Sequence, residues 1–394
     1  MNSPAVCIVV ENLPVPLDRR VWREASALRD AGYRVSVICP RTGSFPAKHE
    51  VLEGIEIFRH RAFEASTPTG YILEYGYALA MEFFLTLKVF ARTRFRILQA
   101  CNPPDTIFLI ALFWKLFGVR FIFDHHDLSP ELFEAKFGNR TGPLYRLARL
   151  LEYCSFRLAN ICIATNESFK EVAVKRGGKN PGSVYVVRNC PDIERFRRPH
   201  NLVRDKFGKS HLVAYVGFMG AQDGLDLLLE SIEHLVKHNH RRDTHFLLIG
   251  DGTMLPQLKA LVAHKQLEAY VTFTGQVSHD QVAVYLSNAD LGVAPDPKNA
   301  MNDHSTMVKI LEYMAFSLPV VLFDLKEGRH IAGSAALYAV PNDPADFAEK
   351  IATLLDNPDL RLELGAFGRA RIEQKLNWKV EKASLIEAYA AALQ

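Results

Sequence analysis

The sequence lacks the features that mark a secreted disulfide-bonded protein, a zinc protein or a membrane-spanning protein. Its six cysteines form no Cys-x-x-Cys pair and no Cys/His set at metal-ligand spacing, and several lie inside apolar runs. They predict buried thiols in a reducing compartment and no metal site. The apolar run at 106–114 ends at Lys115 and Gly118, too early to span a bilayer. The short apolar run at the N-terminus has no basic flank, so we expect a β-strand there and no signal peptide.

The chain carries little excess charge. A formal net charge of +3 over 394 residues is too small to predict binding to nucleic acid. The basic residues are unevenly placed, with one cluster at 88–96 and another at 188–204. A hydrophobic content of 48% over this length is enough to form two ordinary cores, so we expect two domains.

Short apolar strands alternate with amphipathic helices along the chain. Residues 6–10 predict a buried strand, residues 19–31 a helix and residues 35–39 the next strand, which together make one right-handed crossover of a parallel sheet. The same alternation begins again at Leu212, after a domain boundary that we place near residue 198. The pattern predicts an α/β protein with two doubly wound, Rossmann-like parallel-sheet domains.

The segment from Ser305 to Phe323 predicts a loop end, a helix and a buried parallel strand. Lys309 and Glu312 are three residues apart and therefore share one face near the start of this helix, where free backbone N–H groups attract anions. A cation and a carboxylate at this place suit a phosphate joined to a diol, which is the chemistry of a sugar nucleotide. Taken alone, the pair also fits an exposed ion pair on a surface helix.

The pattern Ser-x-x-x-Lys-x-x-Glu-Tyr-Met-Ala-x-x-x-Pro-Val-Val, which starts at Ser305, resembles the donor-site signature of family-4 retaining glycosyltransferases of the GT-B fold. The family motif is usually Glu, seven residues, Glu. Glu312 matches the second glutamate, which binds the ribose hydroxyls of the donor. The first falls on His304, so the contact to the donor sugar is expected to differ in kind. The resemblance covers nearly the whole chain and is strongest from about 212 to 323.

The phosphate-binding residues of the family are only partly present. In many relatives an Arg and a Lys in the loop at 217–224 clamp the diphosphate, and here Phe218 and Asp223 stand in their positions. The resemblance then implies that Lys309, loop amides near Gly220 and amides at the start of the helix meet the phosphate charge. The residues assigned to the donor at the start of the helix are Ser305, Thr306 and Met307.

The same resemblance assigns residues that follow two other predicted strands. Gln276 and Val277 come after the strand at 271–274, where the family holds the nucleobase through backbone groups. His126 and Asp127 lie just beyond the strand at 119–123, at the sheet edge where parallel α/β proteins bind ligands. In the family a histidine at this place contacts the transferred sugar. An isolated histidine here also fits a purely structural role.

The first loop is less informative. The family often has a Gly-Gly pair there, and this chain has the segment that begins at Asn12. We assign Asn12, together with Asp127, to the acceptor side. Asp18, Arg19 and Arg20 also fit a position that faces the cleft between the domains, but we interpret them as solvated charges at the start of a helix.

The resemblance implies two domains that face each other across a cleft. Residues 1–198 would form the acceptor-side domain, residues 199–370 the nucleotide-sugar-binding domain, and residues 371–394 a helix that crosses back to the first domain. The implied reaction moves a sugar from a nucleoside diphosphate sugar, expected to be a UDP-sugar, to a hydroxyl acceptor with retention at the anomeric carbon. We expect no metal ion and no cofactor. The catalytic candidates are His126, Lys309 and His304.

Two other functions fit the same residues. A nucleotide-sugar 2-epimerase shares the fold and would act on the donor without an acceptor. A catalytically inactive pseudotransferase that serves as a partner subunit would explain the absent Arg, Lys and first Glu.

Residues 71–96 combine a wide apolar face with basic residues crowded at one end. The aromatic side chains are Tyr75, Phe83, Phe84 and Phe90, and the basic ones are Lys88, Arg92, Arg94 and Arg96. This pattern fits a helix that lies on an anionic membrane, and equally a core helix whose arginines flank the next strand. With the first interpretation, the protein would be cytoplasmic and peripheral on the inner face of the membrane. A lipid-linked saccharide in cell-surface polysaccharide synthesis would then be a natural acceptor.

Overall fold

The computed structural model describes residues 3–62, 68–137, 142–191, 193 and 205–394, and for residues 68, 69, 71, 72 and 135–137 it describes the backbone alone. The chain divides into two compact units, one formed by Met1–Asn189 with Glu381–Gln394 and the other by Cys190–Val380. The boundary predicted near residue 198, and the basic residues at 195, 197, 198 and 204, lie outside the described residues. Each unit is a parallel-sheet α/β domain, as the sequence pattern predicted.

The first unit contains an eight-stranded sheet. Its strands are β1 (Ala5–Val10), β2 (Arg34–Arg41), β3 (His49–Leu52), β4 (Ile55–Arg61), β5 (Ile97–Cys101), β6 (Arg120–His125), β7 (Ile161–Ala164) and β8 (Val184–Val186). Its helices are α1 (Arg19–Asp30), α2 (Pro68–Thr93), α3 (Phe108–Lys115), α4 (Ser129–Phe137), α5 (Pro143–Leu158) and α6 (Glu167–Lys175). The strand order is β3-β4-β2-β1-β5-β6-β7-β8, and every pair is parallel except the β3–β4 hairpin.

The sequence explains why these strands sit inside the sheet. All six residues of β1 are buried, as expected for a strand with helices on both faces. Helix α1 begins where the Asp18 side chain accepts a hydrogen bond from the Val21 N–H at 3.0 Å. Asp18 is therefore the N-cap of α1.

The second unit contains a six-stranded, all-parallel sheet. Its strands are β9 (His211–Val216), β10 (Thr244–Ile249), β11 (Val271–Gly275), β12 (Leu291–Ala294), β13 (Val320–Phe323) and β14 (Ala336–Ala339). Its helices are α7 (Leu225–Glu233), α8 (Leu255–His264), α9 (His279–Asn288), α10 (Val308–Ala315), α11 (Lys326–Ala332), α12 (Pro344–Asp356) and α13 (Pro358–Gln374). The strand order is β11-β10-β9-β12-β13-β14, so the direction of winding reverses between β9 and β12. Such a reversal opens a crevice at the carboxyl edge of a parallel sheet.

The last helix, α14 (Trp378–Ala392), contributes its main part to the first unit. The Tyr389 hydroxyl donates a hydrogen bond to the Gln99 side-chain oxygen of β5, and the Ser384 hydroxyl donates to the Val186 carbonyl at 2.8 Å. Tyr389 is fully buried. These contacts seat α14 against the first sheet.

Helix α2 ends earlier than the sequence predicted. It stops at Thr93, and Arg94 adopts a positive φ of 51°, so Arg94 and Arg96 lie beyond the helix at the approach to β5. Phe83 and Phe90 are partly buried against the core of the first unit, whereas Phe84 is 62% exposed. The core interpretation is correct for Phe83 and Phe90. In the described part of the chain, no helix is long and apolar enough to cross a membrane.

Candidate functional site

A cavity of about 720 Å³ opens at the carboxyl edge of the second sheet, where β9, β10 and β11 end. Gln276 and Val277, predicted from the sequence to hold a nucleobase, both line it. The other lining residues are Val216, Gly217, Phe218, Ile249, Gly250, Asp251, Gly252, Thr253 and Val282. This volume lies within the range of small-molecule pockets. The edge therefore offers space for a ligand of nucleotide size.

Two glycines bring the loops after β9 and β10 into direct contact. A Cβ on Gly250, where φ is +130°, would lie 2.0 Å from the Gly217 carbonyl oxygen. A Cβ on Gly252 would lie 2.4 Å from the Met219 carbonyl oxygen. Only glycine allows this approach, and the Gly217 N–H then donates to the Ile249 carbonyl at 3.0 Å. This part of the cavity wall is therefore formed by the backbone of two loops in contact.

Lys309 lies buried beside this wall. Its Nζ is 2.7 Å from Asp296 Oδ1 and 3.6 Å from Asp223 Oδ1, and it lies 4.9 Å from the centre of the Tyr215 ring. Its Cε lies 3.4 Å from the point that a Cβ on Gly217 would occupy, and Gly217 lines the cavity. The exposed ion pair considered for Lys309 is therefore wrong, because only 8% of its side chain is exposed.

Lys309 and the carboxylates beside it shift one another's pKa values. Burial opposes the charge on Lys309, but Asp296 and then Asp223 raise its pKa above the ordinary value. Burial raises the pKa of Asp223, although Lys309 acts in the opposite direction. Asp296 Oδ2 is buried, and within the described ranges no hydrogen bond reaches it. A buried cation held by two carboxylates is thus the centre of this site.

The prediction that amides near Gly220 serve the donor needs correction for Gly220 itself. Its N–H donates to Asp223 Oδ2 at 3.0 Å, and the Asp223 N–H donates back to the Gly220 carbonyl at 3.2 Å. This reciprocal pair closes the short turn that precedes α7. Asp223 was recognised from the sequence only as a missing lysine, and the structure shows it engaging both the Gly220 amide and Lys309.

The loop before α10 is held by polar contacts that the sequence did not reveal. Asn302 is buried, and its side-chain nitrogen donates to the carbonyls of Gln222 at 3.0 Å and Pro297 at 2.9 Å. His304 Nδ1 lies 3.1 Å from the Ala300 carbonyl, and because a carbonyl only accepts, Nδ1 carries the proton.

The other predicted donor residues lie on the same loop and helix. The Ser305 hydroxyl donates to the Met301 carbonyl at 2.8 Å, and Met307 is the residue at which α10 is capped. Helix α10 begins at Val308, so Thr306 and Met307 immediately precede its first free amides, while Glu312 lies half-buried in its second turn. The structure thus brings Ser305, Thr306, Met307, Lys309 and Glu312 to one loop–helix junction.

A second buried charge cluster lies at the carboxyl edge of the first sheet. Asp124, in β6, accepts a hydrogen bond from Arg20 Nη2 at 2.8 Å and lies 2.7 Å from His126 Nε2. Arg20 also reaches Glu24 at 3.1 Å and His126 Nε2 at 2.9 Å. Its side chain is 8% exposed, so the interpretation of Arg20 as a solvated charge is wrong. Helix α1 aims Arg20 and Glu24, four residues apart, into the same space.

Electrostatics at this cluster favour the charged forms of Asp124 and His126. Burial opposes ionisation, but Arg20 and His126 hold the pKa of Asp124 below its ordinary value. Burial likewise opposes a charge on His126, but Asp124 raises its pKa above the ordinary value. The Gln99 side-chain nitrogen joins the cluster, donating to Asp124 at 3.0 Å and to Glu24 at 2.8 Å.

Asn102 fixes the loop that carries the predicted acceptor-side residues. Its side-chain oxygen accepts from the His126 N–H at 2.6 Å, and its side-chain nitrogen donates to the Asp127 carbonyl at 2.8 Å. Burial raises the pKa of Asp127. Asn12 is exposed, just past the end of β1. Asn102 was not predicted from the sequence. The signal that could have identified it is its position directly after a buried strand, which it shares with His126.

Fold and site together define a doubly wound α/β protein with a nucleotide-sized cavity at a sheet edge. One family model, Glycosyltransferase Family 4, matches residues 17–195, and another, Glycosyl transferases group 1, matches residues 210–357. The chain belongs to the family-4-like glycosyltransferases of the GT-B fold. The resemblance inferred from the sequence is thereby confirmed.

Similar curated proteins share part of the chain. The alpha-D-kanosaminyltransferase of Streptomyces kanamyceticus is 28% identical over 163 residues, which is 40% of this chain and 40% of that protein. The chitobiosyldiphosphodolichol beta-mannosyltransferase of Candida albicans is 23% identical over 313 residues, covering 73% of this chain and 67% of that protein. The match therefore spans less than half the length of the first of these relatives.

Solved structures match almost the whole chain. Sucrose-phosphate synthase from Thermosynechococcus elongatus has a TM-score of 0.80 at 18% identity, with 99% of each chain covered. Anabaena HepE, crystallised in complex with UDP and glucose, has a TM-score of 0.71 at 14% identity, covering 98% of this chain and 100% of that one. At such identities the likeness concerns the fold.

Proposed function

We propose that this protein transfers a sugar from a UDP-sugar to a hydroxyl group of a saccharide acceptor, with retention at the anomeric carbon. The observation that carries the proposal is the buried Lys309 beside the cavity at the carboxyl edge of the second sheet. A cation there, next to the free amides at the start of α10, suits the diphosphate of such a donor. The HepE structure with UDP and glucose supports the choice of nucleotide.

The proposed reaction breaks the bond between the anomeric carbon and the diphosphate oxygen and forms a bond from that carbon to the acceptor oxygen. The acceptor proton moves to the departing diphosphate on the same face. The protein's part is to position the donor and to stabilise the charge that grows on the diphosphate. Lys309 and the α10 amides have that role, Glu312 binds the ribose, and His304 contacts the sugar. His126 is the catalytic histidine of the first domain, and no metal ion or cofactor enters these steps.

A thermal-shift panel tests the choice of donor. Because a ligand that binds only the folded state raises the melting temperature, UDP-sugars should raise it, whereas GDP-, ADP- and dTDP-sugars should not. Incubating the donor that binds without an acceptor then separates transfer from epimerisation. Conversion of the UDP-sugar to its 2-epimer under those conditions would replace the transferase proposal.

Replacing Glu312 by glutamine should weaken donor binding and leave the fold intact. The amide keeps the shape of the side chain but loses the charge that strengthens hydrogen bonds from two ribose hydroxyls, so we expect a loss of about 1.5–3 kcal/mol in binding free energy. Calorimetry with UDP measures it. Glu363→Gln, an exposed residue of α13, is the matched control and should bind as the wild type does. Unchanged affinity of Glu312→Gln would remove Glu312 from the donor site.

An exposed apolar surface on the first unit supports a lipid-linked acceptor. Phe84 of α2 and Phe117 after α3 are 62% and 60% exposed, and Leu116 is 80% exposed. The rings are connected, since Phe83 contacts both Phe84 and Phe113, and Phe113 contacts Phe117. The helices α2 and α3 thus present one continuous apolar surface.

Basic residues border this surface. Arg96, Lys115 and Arg120 line a cavity of about 390 Å³, and Lys115 directly precedes Leu116 and Phe117 in the sequence. Burial, then the neighbouring cations Lys179 and Arg120, lower the pKa of Lys115. An anionic membrane supplies both the apolar phase and the negative charge that such a surface needs. We therefore propose that the protein docks peripherally on an anionic leaflet and that its acceptor is a lipid-linked saccharide.

Sedimentation with liposomes tests membrane docking. The wild type should pellet with vesicles that contain phosphatidylglycerol, less so at high salt, and not with vesicles of phosphatidylcholine alone. The double variant Leu116→Ser, Phe117→Ser and the double variant Arg96→Glu, Arg120→Glu should each stay in the supernatant. Leu362→Ser replaces a 73% exposed leucine of α13 and should pellet as the wild type does. Wild-type protein that stays in solution at low salt would favour a soluble acceptor.

One observation favours a second candidate, a catalytically inactive pseudotransferase. Asp223 occupies the position of a phosphate-binding lysine, contacts Lys309 and engages the Gly220 N–H. Two carboxylates against one ammonium group leave the site with no excess positive charge for a diphosphate. The pseudotransferase would bind no UDP in calorimetry, and its association with a partner subunit would not respond to donor.

A further inference from the structure

A buried cluster of three metal-ligating side chains lies in the first unit, apart from the residues assigned to the reaction. Glu11 follows β1, His60 belongs to β4 and Glu82 to the middle of α2. They are 9%, 2% and 1% exposed, respectively. One potential ligand atom from each lies within 4.8 Å of the other two. Two carboxylates are thus enclosed around an imidazole.

The hydrogen bonds leave the inner atoms of this cluster unsatisfied. His60 Nδ1 lies 3.1 Å from the Arg61 carbonyl, and because a carbonyl only accepts, Nδ1 carries a proton, so Nε2 presents a lone pair whenever the ring is neutral. That lone pair faces Glu11 Oε2 at 3.0 Å and Glu82 Oε1 at 3.9 Å. All three atoms are buried, and no hydrogen bond reaches them within the described residues. Acceptors apposed in this way require a positive charge between them.

We propose that Glu11, His60 and Glu82 bind a divalent transition-metal ion. Two carboxylates and a neutral imidazole balance the charge of one divalent ion, which removes the cost of burying two uncompensated acids. An imidazole held by an Nδ1–H to a backbone carbonyl is the usual arrangement of a metal-ligating histidine. One nitrogen with two carboxylate oxygens suits Zn²⁺ or Mn²⁺, whereas Mg²⁺ and Ca²⁺ prefer oxygen ligands throughout.

Without an ion, protons would have to fill the same place. The group formed by Cys101, Asp124 and His126 differs, because Arg20 already supplies its cation. A metal bound by Glu11, His60 and Glu82 would join α2 to β4 and to the residue that follows β1. It would therefore fix the helix that carries Phe84, and its effect would be structural rather than chemical.

Metal content and stability test the proposal without reference to activity. Chelator-treated protein, dialysed against Zn²⁺ or Mn²⁺ and then desalted, should retain about one ion per chain by elemental analysis. The same ion should raise the melting temperature, since it binds the folded state. Release of protons on binding, seen as calorimetric enthalpies that depend on the buffer, should accompany it.

Variants locate the ion. Glu82→Gln should fold, because glutamine keeps the shape and removes one buried charge, and it should lose both the bound ion and the shift in melting temperature. His264→Gln changes an exposed histidine of α8 and should keep both. Wild-type protein that retains no ion and whose melting temperature ignores both metals would overturn the proposal. So would a Glu82→Gln variant that binds metal as the wild type does.

Discussion

Replacing Lys309 by alanine is expected to lower the turnover number by about 10²–10³-fold and the free energy of unfolding by about 3–5 kcal/mol. The first effect follows from the proposed function, because negative charge on the departing diphosphate is greatest in the transition state. The second follows from geometry, because Asp296 lies 2.7 Å from Lys309 Nζ and would stay buried without its cation. Steady-state kinetics and urea unfolding measure the two effects separately.

A compensating variant distinguishes these two roles. Lys309→Met combined with Asp296→Asn removes both charges and should recover most of the lost stability, but none of the lost turnover. Lys298→Ala is the matched control, since Lys298 lies in the same loop with 43% of its side chain exposed, and its Nζ lies 3.5 Å from Asp303 and donates to the Asp324 carbonyl at 3.2 Å. It should change the stability by no more than about 1 kcal/mol. A folded Lys309 variant with wild-type turnover would remove Lys309 from the mechanism.

The alternation of strands and helices, and the resemblance at α10, were enough to predict the α/β class and the family. Short stretches of sequence carry this information. The apolar run of β1, and a lysine at the start of α10, can each be recognised from a few neighbouring residues. The family resemblance also assigned Gln276 and Val277, which follow a predicted strand. Both line the cavity.

The partners of the charged residues could not be predicted, because they are brought together by the sheet. Lys309 and Asp296 are 13 residues apart, and Arg20 and Asp124 are 104 apart. When only neighbouring residues are considered, a charged side chain is expected to face solvent. Arg20 was therefore interpreted as solvated, and Lys309 also fitted a surface ion pair. Both side chains are buried in the structure, so both of these interpretations are wrong. The end of α2 was missed for a related reason, since Arg94 takes a left-handed conformation that its residue type does not signal.

Replacing Arg20 by methionine should destabilise the first domain by about 3–5 kcal/mol at neutral pH, because the buried Asp124 carboxylate would lose the guanidinium group that lies 2.8 Å from it. The pH dependence has a defined sign. The pKa of Asp124 is lower in the folded state than in the unfolded chain, so its stabilising contribution is present above about pH 4 and is lost as the pH falls. The difference between wild type and variant should therefore shrink in acid. Urea unfolding at several pH values measures it.

The same substitution should raise the pKa of His126. Its Nε2 lies 2.9 Å from Arg20 Nε and 2.7 Å from Asp124 Oδ2, and one ring nitrogen cannot accept from the first and donate to the second at once. The neutral ring accepts from Arg20, whereas the charged ring donates to Asp124. Removing Arg20 takes away both the competing donor and a repelling charge, so the charged ring persists to higher pH. NMR titration of the imidazole measures this, and Arg19→Met, on the exposed face of α1, should leave the titration unchanged. If His126 in the Arg20 variant titrates as in the wild type, Arg20 does not control its protonation.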